Sequence, residues 1–219
     1  AGRRSAPPAP RGPAGSPDSA GSRRSRSGRS PVHRAAHAAR LGDTDVVVLS
    51  DYGKGSLRDV SAMIIACNVK NVPVFVDPKG ADFDKYRDAT VITPNQTEFD
   101  VVAGVPGDDE DMVSRASEMM MSLGLSGLLV TRSKKGMLLV EGKGEPQFLP
   151  ARAREVYDVT GAGDTVIAAF AINDICGLSP LESSIISNLA AGRVCEEIGV
   201  CPINIDSLKD IFSHHYNKD

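Results

Sequence analysis

The sequence predicts a three-layer α/β domain built on a mostly parallel sheet. Three observations carry this. Short apolar runs rich in Val, Leu and Ile recur along the chain, as strands buried on both faces require. They alternate with stretches of helical spacing, the pattern of parallel α/β units. Polar turns follow several of the runs, at the strand ends where open α/β sheets bind ligands.

The elements follow in order. Asp45–Ser50 reads as the first buried strand, and Asp51–Gly55 as the turn after it. Ser56 is placed to cap a helix running to about Asn68. Pro73–Asp77 is the next strand, ending in the turn Pro78-Lys79-Gly80. A short helix near Phe83–Arg87 leads to the strand Ala89–Thr93, and Asn95 opens a helix to about Ala103. Asp108 or Asp109 caps a helix through Met121, whose Met112, Ala116, Met119 and Met120 share a face and read as core. Leu128–Thr131 and Met137–Glu141 are strands joined by the turn Arg132–Gly136. Gly142–Gly144 is a hairpin turn and Pro146–Tyr157 is extended. The glycine-bearing turn Gly161–Asp164 starts a helix to about Cys176. Ser179-Pro180 starts another, with Leu181, Ile185, Ile186 and Leu189 on one face, reaching Ile198. Asp206 caps a last helix from Ser207 to about Tyr216.

Charge divides the chain. Residues 1–40 hold nine Arg, no Lys and one Asp, whereas the rest holds 16 basic and 27 acidic residues. An acidic body argues against nucleic-acid binding. Residues 1–31 contain no Leu, Ile, Val, Met or aromatic residue. Such a segment cannot bury enough surface to offset its ordering entropy. The domain division expected is therefore a disordered segment over 1–40, which need not be native to the domain, and an α/β body over 41–219. His33 and His37 could share a helix face, but no further ligand stands near them. Four Cys show no metal-ligand spacing, as in a reducing compartment. No apolar run is long enough for a membrane span, and no signal peptide is read. These features suit a cytoplasmic protein.

Four turns carry polar groups at strand ends: Asp51 with Lys54, Lys79, Asn95 with Glu98, and Gly161–Asp164. Each has an ordinary reading. Lys79 fits a solvated turn lysine, Asn95 and Glu98 a helix start, and Asp164 a first-turn acid. Each also has a chemical one. Small residues at a helix start expose N–H groups that favour an anion. An acid beside those donors suits a hydroxyl that must lose its proton as it attacks phosphate. Dinucleotide and Walker-type fingerprints are absent.

Together these runs resemble a family. Asp158–Asp164 is similar to the D-T/V-T-G-A-G-D signature of ribokinase-type (PfkB) carbohydrate kinases, and Asn95-Gln96-Thr97-Glu98 to their N-x-x-E motif. Leu49–Gly55, Val76–Gly80 and Thr93-Pro94-Asn95 resemble the branch that phosphorylates D-glycero-β-D-manno-heptose 7-phosphate at its anomeric hydroxyl, a step of ADP-heptose and lipopolysaccharide-core synthesis. The resemblance implies a ribokinase-like fold and an ATP-dependent kinase. Asp164 would be the base, and the amides of Gly161, Ala162 and Gly163 an anion hole. Asn95, Gln96, Thr97 and Glu98 would serve the nucleotide, with Asn95 and Glu98 holding Mg²⁺ through water. Lys79 would reach the phosphates. Thr131 and Ser133 would line the nucleotide side, and Asn188 would flank the adenine. Asp51 and Lys54 would face the sugar phosphate, and Asp158 would hold a monovalent cation, K⁺. The intact family enzyme would be a homodimer.

The family's first strands and lid are not visible before Asp45. The expectation is a fold missing its N-terminal strands and lid, with an exposed apolar edge and poor solubility for the chain alone. A catalytically incomplete nucleotide-binding fragment, or a family member acting on another sugar, stands as the alternative.

Overall fold

The computed structural model describes Gly2 and residues 41–142, 144–153 and 156–216. The expectations for the arm over 1–40, including His33 and His37, lie outside those residues, Gly2 aside. One six-stranded sheet organises the rest. Its strands are β1 (Val47–Ser50), β2 (Val74–Asp77), β3 (Val91–Ile92), β4 (Gly127–Thr131), β5 (Met137–Glu141) and β6 (Gln147–Leu149), side by side in that order. The first four run parallel, and β5 and β6 return antiparallel. Strands β1, β2 and β3 are shorter than the apolar runs that announce them, because pairing stops where the turns leave the sheet; β5 has the expected bounds and β4 begins one residue earlier, at Gly127.

Among the described residues the α-helices are α1 (Val60–Val69), α2 (Gln96–Ala103), α3 (Asp109–Leu123), α4 (Ala162–Ile175), α5 (Pro180–Cys195) and α6 (Ile205–Tyr216). The expected three layers are present. Alternate strand residues face opposite sides, as the pleat dictates. Val74, Val76, Leu128, Val130, Leu138 and Val140 face a core with Ile64, Tyr86, Phe99 and Met112. Phe75, Leu129, Met137 and Leu139 face a second core with Val166, Ile167, Phe170 and Ala171. The Phe75 and Phe170 rings meet there at 5.8 Å. The four α3 residues expected in the core are all buried.

Several local expectations are corrected. Ser56 does not cap α1; the chain turns through 56–59, and the Leu57 carbonyl accepts from Val60 N–H at 3.2 Å. The helix begins where Val60 and Ile64 can reach the sheet core. The Phe83–Arg87 helix is a 3₁₀ turn over Asp84–Tyr86. Among the described residues of Pro146–Tyr157 only Gln147–Leu149 is strand. The last helix is capped by Asn204, whose Oδ1 accepts from Ser207 N–H at 2.9 Å, rather than by Asp206. Helix α5 ends at Cys195, not Ile198, and its inner face is not the Leu/Ile stripe. Ser183, Ser184, Ser187, Ala190 and Ala191 are buried; of the expected stripe Leu189 is buried, while Leu181, Ile185 and Ile186 are only partly so. Small side chains let a neighbouring backbone come close: a Cβ on Gly192 would stand 3.0 Å from Ala153 N. A periodicity search weighted towards large apolar residues misses such a face.

Among the described residues β1 pairs only with β2, and Val48 on it is 40 % exposed. No described helix is long and apolar enough to cross a membrane.

Candidate phosphoryl-transfer site

The parallel strands end on one edge of the sheet, and the turns that leave them carry the polar residues. Helix α4 points its N-terminus at this edge. It begins at Gly161, whose φ of 79° is open to glycine at little cost, and no side chain caps it. The Thr165 N–H and hydroxyl both close back on the Gly161 carbonyl at 2.9 Å. The first amides of a helix have no partner within it. A Cβ at Gly161 or Gly163 would meet nothing within 4 Å, so there is room for a ligand against this backbone. Ala162 lies between them, partly exposed, but its N–H donates to the Val159 carbonyl at 3.2 Å as the chain turns into the helix, so it is not the free third donor expected.

Asp164 stands in the first turn of α4 and reaches across to β1. The Tyr52 hydroxyl donates to its Oδ2 at 2.7 Å and its Oδ1 at 3.0 Å, and the Ser50 hydroxyl donates to Oδ1 at 3.2 Å. Ser50 also lies 3.3 Å from Oδ2 of Asp77, at the end of β2. Two residues on, Lys79 pairs with Oε1 of Glu98 at 2.6 Å. Glu98 is meanwhile half of a capping box. Its Oε2 accepts from Asn95 N–H at 3.1 Å, and Asn95 Oδ1 accepts from Glu98 N–H at 3.0 Å. The ordinary helix-start reading and the site reading are therefore both true of this pair: the box fixes the Glu98 carboxylate beside Lys79.

Asp77, Glu98 and Asp164 crowd their charges. Burial pushes Asp77 up to about 6, and the charges of Glu98 and Asp164 add to it against the Ser50 bond and Lys79. The Glu98 bond raises Lys79. The stability consequence has a definite sign. Between about pH 4 and 6 the folded chain holds a proton on Asp77 that the unfolded chain has lost, so stability falls as pH rises through that window. Asp77→Asn is expected to stabilise the fold at pH 7 by about 1–2 kcal/mol, after allowance for solvent screening. Thermal melts from pH 4 to 7 should show the wild-type decline flattened in the variant. A variant less stable at pH 7 with an unchanged slope would refute this.

The other expected residues fall at different depths. Asp51 is 7 % exposed and committed to its turn. It accepts from Gly53 N–H at 2.8 Å, Tyr86 OH at 2.7 Å and Lys85 Nζ at 2.8 Å. Burial works to raise its pKa, but these bonds outweigh burial and hold it below the usual value. Lys54 is exposed, on the rim of a concavity of about 240 Å³ that Ser50, Tyr52 and Leu57 also line. Gln96 turns along α2 to Asp100 at 2.6 Å, and Thr97 is exposed. Thr131 ends β4, and its N–H donates to Pro94 O at 2.9 Å, which sets it beside the Asn95 turn. Ser133 is exposed in the following 3₁₀ turn. Asn188 is buried in α5 and donates to Pro150 O at 2.8 Å. Asp158 lies in the approach to α4. Its Oδ1 accepts from the Thr160 hydroxyl at 2.7 Å and N–H at 2.9 Å, and its Oδ2 from Gly199 N–H at 3.1 Å. Those bonds, the Thr160 hydroxyl first, lower its pKa.

The edge thus brings together Asp164, Lys79, Glu98 and Asn95. The sequence reading missed Ser50, Tyr52 and Asp77 as site residues. Asp77 could have been found, since a carboxylate at the carboxyl end of a parallel strand is itself the signal. Tyr52 had no such mark.

Among the described residues no group of three His, Cys, Asp or Glu is arranged to hold a metal. The edge still suits a hydrated divalent cation beside phosphates. Magnesium keeps several waters and takes one or two carboxylates, and the carboxylate crowding felt by Asp77 would be relieved by positive charge. The open backbone at Gly161 and Gly163 fits the phosphates.

Residues 27–206 match the profile of the pfkB family of carbohydrate kinases. The chain is 47 % identical over 165 residues to the bifunctional protein HldE of Aeromonas hydrophila, an alignment covering 75 % of this chain and 34 % of that protein. It is 48 % identical over 170 residues to HldE of Sodalis glossinidius, covering 76 % and 35 %. The chain thus spans about a third of the length of these relatives. The ribokinase of Arabidopsis thaliana, solved with ribose and ATP, superposes with a TM-score of 0.70 at 25 % identity, over 80 % of this chain and 58 % of that one. Phosphofructokinase-2 of Escherichia coli, solved with potassium, gives 0.70 at 16 % identity over 84 % and 62 %, a likeness of fold alone.

Proposed function

Since the chain belongs to the pfkB family of carbohydrate kinases, we propose that it transfers the γ-phosphoryl group of ATP to a sugar hydroxyl, that of the anomeric carbon of D-glycero-β-D-manno-heptose 7-phosphate. One observation carries the chemistry: the Asp164 carboxylate stands at the uncapped N-terminus of α4, on the sheet edge that holds the Lys79–Glu98 pair. The runs Leu49–Gly55 and Val76–Gly80, and the identity to HldE, support the heptose branch over other sugars.

In this reading Asp164 takes the proton of the acceptor hydroxyl as that oxygen bonds to phosphorus and the bond to the departing ADP breaks. The amides of Gly161 and Gly163 face the charge that develops on the transferred group, whereas that of Ala162 is engaged by the Val159 carbonyl. Donors already fixed by a helix need no reorganisation as it forms. Lys79 supplies a compact positive charge. Glu98 and Asn95 would hold Mg²⁺ through water; the ion screens phosphate charge and orients the transferred group. Gln96, Thr97, Thr131 and Ser133 lie along the nucleotide side of the same edge, and Asn188, by fixing Pro150, shapes the strap over α5 where the adenine would lie. Lys54 would meet the acceptor's phosphate, and Asp51 would hold the turn that presents it. Asp158 would offer K⁺ oxygens that already accept three hydrogen bonds. The enzyme would work in the cytoplasm, beside its ATP and sugar phosphate.

Isothermal titration with Mg-ATP, followed by heptose 7-phosphate, tests the reading. The expected result is saturable ATP binding and then a phosphorylated sugar with one ADP per turnover. Binding of ATP without any product would favour the incomplete nucleotide-binding fragment. No binding would overturn both.

A further inference from the structure

We propose that Tyr52 is a positioning residue of this site: its phenol holds the Asp164 carboxylate in one orientation towards the acceptor hydroxyl. The inference rests on the reading of Asp164 as the base and adds what aims it.

Tyr52 is not a core residue. It is 59 % exposed, so burial gives little reason for its placement. What holds it is the turn beneath it and the acid in front of it. The turn is anchored by Asp51, which ties Gly53 N–H, Tyr86 and Lys85 to one buried carboxylate. That anchor explains why a buried acid precedes an exposed aromatic. With its stem fixed, the phenol reaches Asp164, 112 residues along the chain, and bonds both carboxylate oxygens.

Asp164 needs such a guide. It sits in a first helical turn with its side chain exposed, and an unguided carboxylate there would sample several rotamers. A base must lie within hydrogen-bond reach of the proton that it takes, and small misplacements are costly. The donors are unevenly shared. Oδ1 accepts from Ser50 at 3.2 Å and Tyr52 at 3.0 Å, whereas Oδ2 accepts from Tyr52 alone at 2.7 Å. A carboxylate oxygen has about two lone-pair sites. The phenol has one proton, directed mainly at Oδ2 by the shorter contact, and the Ser50 proton is shared with Asp77 Oδ2 at 3.3 Å, so the carboxylate is held in place while lone pairs stay open to the acceptor. The hydrogen bond to Asp164 is also the leading cause that raises the Tyr52 phenol above its ordinary value.

The test pairs a spectroscopic readout with kinetics. The tyrosinate absorbance of wild type minus Tyr52→Phe isolates Tyr52 during an alkaline titration. Its midpoint should lie above 10.0 and fall in Asp164→Asn. A midpoint that ignores Asp164→Asn overturns the proposal whatever the activity. In the kinetics, Tyr52→Phe should lower kcat by about 10- to 100-fold, with KM for ATP within about twofold and an unchanged melt, because the exposed ring is retained. A merely structural residue would shift the melt and spare kcat. An active wild type with an undiminished Phe variant overturns the proposal alone. A wild type that binds ATP and turns over no sugar overturns the base reading and the proposal with it.

Discussion

Asp164→Asn is expected to lower kcat by about 10²–10⁴-fold, the usual contribution of a positioned general base, while leaving the dissociation constant for Mg-ATP within a few-fold. The substitution keeps the size of the side chain and its place in the first turn of α4, so the Gly161–Gly163 backbone is undisturbed. What it removes is the negative charge that receives the proton. Only an interaction made in the transition state is lost, so kcat and kcat/KM should fall together. A second readout does not depend on turnover. The Asp164 charge is one of the causes, after burial and Glu98, that push Asp77 up to about 6. In the variant Asp77 should titrate lower, visible by carboxylate carbon NMR. Near-normal turnover would refute the base role. A fall in kcat accompanied by lost ATP binding and a lower melting point would instead indicate a damaged helix start.

How much of this site could be read in the sequence depends on what kind of signal each residue leaves. The layers follow from alternating buried runs, because burial on two faces forces a compositional mark. Asn95 and Glu98 left a mark because one four-residue spacing serves both a capping box and a site. Gly161–Asp164 left one because close backbone approach and an uncapped helix start need particular residues. Tyr52 left none: its partner is 112 residues away and nothing local dictates a phenol there. The same holds for Asp51, whose bonds to Lys85 and Tyr86 turn it from an expected substrate contact into the anchor of a turn. The inner face of α5 was misread for a different reason. Close packing selects small and hydroxyl-bearing residues there, and hydrophobic spacing does not register Ser183 or Ser187 as core.

Gly136→Ala is expected to destabilise the fold by about 4 kcal/mol, from strain at a left-handed backbone position together with overpacking. Gly136 has φ of +85° and closes the turn between β4 and β5, where its carbonyl accepts from Arg132 N–H at 2.7 Å. A Cβ at this position would overlap the Leu149 carbonyl oxygen and stand 2.6 Å from Ala151 N and 2.7 Å from the Pro150 carbonyl carbon. These are backbone atoms, and they cannot swing aside as a side-chain tip can. Nor is the strand itself free to retreat. Met137 pairs with Leu149 in the sheet, Arg132 lies over the Phe148 ring at 4.9 Å, and Asn188 holds Pro150 O. Relief must therefore break at least one of these ties. Pro150 also leads into Arg152 and Ala153, whose backbone packs against Gly192. At about 2–4 °C per kcal/mol for a chain of this size, the melting point should fall by about 10 °C. Gly142→Ala is the internal control. A Cβ there meets nothing within 4 Å, and its φ is not positive. That change should stay within about 0.5 kcal/mol of wild type. Equal melting of the two variants would show that the turn can relax, and that β6 is not clamped against Gly136.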